Sequence, residues 1–146
     1  DILRGALPAA ANVEVVGLAM SSAEGEADFF SNGAGLGTNS LNALSGPVSE
    51  RVRLATLDGF LRERNIERVS MLKIDTEGFD HHVVRGMGSL LDHPELVISA
   101  EFQDEWLRKA GSSAEAFLGT PSMSYGFAIY SATITRAGRS TLSPSR

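Results

Sequence analysis

The sequence predicts an α/β domain in which helices cover a mostly parallel sheet. Three observations carry that expectation. Apolar runs at 13–20 (VEVVGLAM), 69–74 (VSMLKI) and 96–100 (LVISA) lack polar alternation, the mark of strands buried on both faces. They alternate along the chain with segments of helical spacing, the order that builds parallel sheets. Two of them run into an acid, Asp75 and Glu101, and open α/β sheets meet ligands at the carboxyl ends of their strands.

In chain order, Ile2, Leu3 and Leu7 give a weak apolar stripe that reads as the end of a helix, which Pro8 discourages from continuing. The run 13–20 reads as a buried strand and 27–30 as a short one. Residues 31–47 are rich in glycine and asparagine and read as a loop. Residues 51–56 alternate like a strand. Leu57, Phe60, Leu61 and Arg64 then follow helical spacing. After the strand at 69–74, Phe79, Val83, Val84, Met87, Leu90 and Leu91 form one helical stripe, which Pro94 stops. Ser112 and Glu115 resemble a capping box ahead of another helix. Residues 127–134 (FAIYSATI) read as a late strand or hairpin, and the polar, Ser-rich 136–146 as a frayed tail.

The 146 residues suit one domain, and a 42% hydrophobic fraction allows a real core. A net charge of −5, with Lys and Arg scattered, argues against a nucleic-acid partner. The absence of cysteine removes disulfides, thiolate metal sites and a thiol nucleophile, and fits a reducing, cytoplasmic setting. No apolar run approaches the ~20 residues that cross a bilayer, so no membrane partner is expected.

The sharpest motif is 71–80, MLKIDTEGFD, which resembles the LKIDxEG(F/A)E segment of FkbM-type methyltransferases. Residues 82–87 (HVVRGM) resemble that family's following helix, 56–61 (TLDGFL) its TLDxFL segment, and 37–41 (GTNSL) its G..SL loop. Ala19, Met20 and Ser21 resemble the end of its third strand, and Glu101 the acid that ends its p.vi.E segment. Asp80 stands where the family usually has Glu, and Val84 where it has Leu. The pieces keep one order over residues 1–105.

The resemblance implies a Rossmann-like methyltransferase sheet and methyl transfer from S-adenosyl-L-methionine to a hydroxyl of a small metabolite or sugar. Family members carry a glycine-rich loop and an acid in an FEPN-like segment on two earlier strands, and neither precedes Asp1. The expectation is therefore an N-terminally truncated portion lacking its first two strands, with an uncovered edge that favours oligomers or aggregation. The alternative is a non-catalytic α/β binding module or remnant that binds no cofactor.

Asp75 and Glu77 are the candidate catalytic residues: Asp75 to contact the acceptor or the methionine part of the cofactor, Glu77 as a base, each with a turn-capping role as the structural alternative. Ala19, Met20 and Ser21 are the candidate cofactor contacts beside the adenine, or an ordinary strand exit. Glu101 is the candidate substrate contact, or meets a helix N-terminus. Lys73, inside an apolar strand, needs a paired acid or a snorkelling stem. His81 and His82 diverge by about 100° on a helix, so no metal is expected there. Trp106 walls a pocket or simply packs. Residues 33–37, with Asp58 downstream, imitate a nucleotide loop, but no helix pattern follows them.

Overall fold

A computed structural model describes residues 12–31, 39–41, 46–100, 103–120, 130–134 and 140–144. The chain is a mixed α/β protein with small parallel pairs of strands backed by short helices. The expected helix end in 1–11, the glycine loop at 33–37, and Glu101 all lie outside the described residues.

Strand β1 (Ala19–Met20) pairs in parallel with β3 (Val48–Ala55), which also pairs antiparallel with β2 (Gly25–Phe30). The run 13–20 is thus a strand only over its last two residues, and Val13 is 60% exposed rather than buried. The facing of this pair follows from alternation. Glu26 and Asp28 oppose Arg53 and Arg51 across the hairpin, while Ala27 opposes Val52, which puts charge on one face and apolar residues on the other. Arg51 also bridges to Glu26. Among the described residues, parallel and antiparallel pairs coexist, and the strands fall into three separate sheets.

Helix α1 (Leu57–Glu63) starts where Thr56 Oγ1 accepts the Gly59 N–H, and it seats Leu57 in the core. Strand β4 (Met71–Ile74) pairs in parallel with β5 (Val97–Ala100). Their burial alternates. Leu72, Ile74, Ile98 and Ala100 pack on the core, while the register partners Met71 and Val97 are exposed. The expectation of strands buried on both faces is not met here: among the described residues only one side of this pair packs on the core.

The apolar stripe at 79–91 is one surface but two elements: α2 (Asp80–Arg85), then a 3-10 turn (Gly88–Asp92). Gly86 lies between them, and a Cβ there would sit 2.0 Å from Ser21 O, so the chain approaches the end of β1 closely at this point. Val83, Val84, Met87 and Leu90 from the stripe meet Leu107 of α3 (Asp104–Lys109) and Phe117 of α4 (Ala114–Leu118). These residues form the buried core.

The cap of α4 is Ser113, whose Oγ accepts the Ala116 N–H at 3.1 Å. The expected Ser112 cap is off by one residue; Ser112 Oγ instead meets His81 Nδ1. At the end of the described chain, β6 (Tyr130–Ile134) and β7 (Ser140–Pro144) pair antiparallel, so part of the stretch read as a frayed tail is a strand. Among the described residues no helix is long and apolar enough to cross a membrane.

Candidate functional site

The β4–α2 turn carries the site. Strand β4 is held by its ladder to β5 and by Ile74 in the core, so the residues that follow leave the sheet at a fixed place. Asp75, Glu77 and Gly78 there, with Gln103 and Trp106 from the start of α3, line a cleft of about 90 Å3. Asp75 and Glu77 come together as expected. Gln103 and Gly78 add polar and backbone surface, and Trp106 walls the cleft.

The turn has an unusual backbone. Glu77 has φ 53° and Gly78 φ 97°, so two successive residues are left-handed. The conformation costs a non-glycine residue about 1–2 kcal/mol. A side chain at Gly78 would also meet the Trp106 backbone, with the carbonyl oxygen at 2.7 Å from its Cβ. Glycine is what lets the turn press against the cleft wall.

Asp80 opens α2, is fully buried, and accepts the Gly78 N–H at 3.2 Å through Oδ2. Its Oδ1 and the Thr76 hydroxyl are buried without a hydrogen-bond partner among the described residues. A buried unsatisfied polar atom costs about 1–3 kcal/mol, so Asp80 is an expensive way to start a helix.

Lys73 is exposed and pairs with Asp75, rather than being buried in its strand. The pair sits in solvent and stabilises the fold by only about 0–1 kcal/mol. Its consequence is local: the ammonium offsets the Asp75 carboxylate at the mouth of the cleft.

Ala19, Met20 and Ser21 do not line this cleft. Met20 packs against the core, and Ser21 is buried, gives its N–H to Ala55 O and faces Gly86. Asp58 is occupied structurally, accepting from Ser89 Oγ at 3.0 Å and bridging to Arg62. His82 Nε2 donates to Ala110 O at 3.0 Å, so both histidines hold the α3–α4 turn. Burial first, then Arg85 and His82, hold the His81 imidazole below its ordinary value.

Gln103, Gly78, Ser40 and Asp80 were not singled out as site residues. Gly78 and Asp80 lie in the 71–80 segment and Ser40 in the 37–41 segment that resemble the family, the signal that could have marked them; Gln103 lies in no such segment.

A strand-end pair of carboxylates over a parallel pair backed by helices makes this an α/β protein with a cleft at the carboxyl edge, where such sheets meet ligands. The family profile described as the methyltransferase FkbM domain matches residues 8–126, and the chain belongs to that family. Neither a search of curated proteins nor one of solved structures finds a match.

Proposed function

We propose that this protein is an S-adenosyl-L-methionine-dependent O-methyltransferase with a Rossmann-like arrangement, acting on a hydroxyl of a small metabolite or sugar. Family membership supports methyl transfer. The observation that carries the rest is the placement of Asp75 and Glu77 together in one cleft at the end of β4.

The fit to the cofactor is partial. The acidic lining of the cleft, Asp75 and Glu77, suits the cationic reacting end by charge. A cleft of about 90 Å3 is well below the roughly 300 Å3 and more of sites that enclose a whole ligand, so among the described residues it takes the reacting end only. Ala19 and Met20, half-buried at the end of β1, are the proposed nucleoside contacts, with Ser21 holding that strand end through Ala55. Glu101 follows Ala100, the register partner of Ile74, and is the proposed acceptor contact by that position in the chain.

When bound, the cofactor supplies an activated methyl group. The chain's own work is then alignment and proton removal. Asp75 orients the acceptor hydroxyl, and Glu77 takes its proton as the oxygen is methylated. Trp106 shields the cleft from water, and Gln103 offers an amide to a neighbouring hydroxyl of the acceptor.

The test is transfer of labelled methyl groups from S-adenosyl-L-methionine to a panel of polyols, sugars and hydroxylated metabolites. Glu77→Gln is expected to lower turnover by about 10²–10⁴-fold, the range of a general base. Equal turnover in Glu77→Gln and the parent would remove Glu77 from the reaction. Absence of transfer by the folded protein to every acceptor would favour a binding module.

A further inference from the structure

We infer that Ser40 and Asp80 are positioning residues that lock the Glu77–Gly78 peptide plane, and with it the Glu77 carboxylate. The catalytic consequence rests on the proposed methyl transfer; the lock itself does not.

A non-glycine residue at positive φ persists only where its surroundings over-determine it. Glu77 at 53°, followed by Gly78 at 97°, is such a place. One peptide plane joins them, carrying the Glu77 carbonyl at one end and the Gly78 N–H at the other. Both ends are held. The Ser40 hydroxyl lies 3.2 Å from Glu77 O and 3.2 Å from Thr76 O, a donor shared between neighbouring carbonyls. The Gly78 N–H is given to Asp80 Oδ2. Rotating the plane would break the two contacts in one movement.

Ser40 is itself anchored from elsewhere in the chain. Its N–H donates to Phe30 O at 3.1 Å and its carbonyl accepts from Phe30 N at 2.9 Å, at the end of the β2–β3 hairpin. It is 2% exposed, so its hydroxyl has little freedom to turn away. Asp80 keeps an unsatisfied buried oxygen, a cost that helix initiation alone does not require. Gly78 leans on the Trp106 backbone and closes the third side. A hairpin distant in sequence thereby sets where a cleft carboxylate stands.

The experiment pairs amide hydrogen exchange at Gly78 with methyl-transfer kinetics, in the parent protein and in Ser40→Ala. Ser49→Ala is the control, since Ser49 also donates to a hairpin carbonyl, Phe29 O, which lies outside the turn. Ser40→Ala is expected to speed Gly78 exchange about tenfold and to lower kcat by about tenfold or more, as misplacement of a catalytic group does, with the cofactor KM within about twofold. Ser49→Ala is expected to change neither. Ser40→Cys, which keeps the volume with a weaker donor, is expected to fall between, and it replaces Ser40→Ala if that variant does not fold.

Unchanged Gly78 exchange in Ser40→Ala would overturn the lock. Faster exchange with unchanged kcat would overturn the positioning role. If the parent transfers no methyl group, the proposed function falls while exchange at Gly78 still decides the lock: faster exchange upholds it and unchanged exchange overturns it.

Discussion

Replacing Gly78 by alanine tests the turn at its tightest point. Two costs add. The left-handed backbone, φ 97°, penalises a side chain by about 1–2 kcal/mol. The new Cβ would lie 2.7 Å from Trp106 O, 2.8 Å from Trp106 C and 2.9 Å from Trp106 Cβ. The first two are backbone atoms of a helix whose neighbour Leu107 is fully buried, so the wall has little room to retreat. Overpacking of this kind costs about 1–3 kcal/mol. The expected loss is therefore about 2–5 kcal/mol, a large share of a stability of roughly 5–15 kcal/mol, and a fall in melting temperature of roughly 10 °C. Urea unfolding followed by circular dichroism measures it, with an unchanged m value showing that the unfolded state is not the cause. A loss below about 0.5 kcal/mol, the range of a neutral surface change, would refute the close approach of the turn to α3.

Other variants probe the remaining links. Leu107→Ala empties the centre of the core and is expected to cost about 2–5 kcal/mol in the same unfolding assay. Ser113→Ala removes the α4 cap and is expected to cost about 1 kcal/mol, whereas Ser112→Ala leaves that cap intact; equal and large losses in both would contradict the cap. His81 gives a pH signature. Because its folded-state value lies below the ordinary 6.5, the unfolded chain takes up the proton first as pH falls. Its contribution to stability is thus complete above about pH 6.5 and is lost as pH drops through the folded-state value, and His81→Gln is expected to flatten the melting temperature over that window.

The sequence carried some of this fold and hid the rest for physical reasons. Strands β4 and β5 were legible because Leu72, Ile74, Ile98 and Ala100 form the sheet side of the core. Their exposed face was not, since Met71 and Val97 read as apolar whether or not anything covers them. The β2–β3 hairpin was written in alternating charges, Glu26 and Asp28 against Arg53 and Arg51, yet pairing direction depends on partners distant in sequence. The stripe from Phe79 to Leu91 kept its helical period through a real break, because the 3-10 turn continues the same buried surface past Gly86.

The site divides in the same way. Asp75 and Glu77 were visible because an acid at a strand end is a local pattern. Ser40 was not, because one serine in a loop rich in glycine and asparagine gains its role only when the hairpin brings it to Thr76 and Glu77. Asp80 read only as standing where the family usually has Glu, and its complete burial is seen in the structure alone.

The measurement that bears most directly on the methyltransferase reading is calorimetric titration of the protein with S-adenosyl-L-methionine, repeated on Asp75→Asn. The account predicts saturable one-to-one binding by the parent and at least about a fivefold weaker affinity in Asp75→Asn, about 1 kcal/mol for a lost charged contact at the reacting end. A folded parent protein that gives no heat of binding would contradict it.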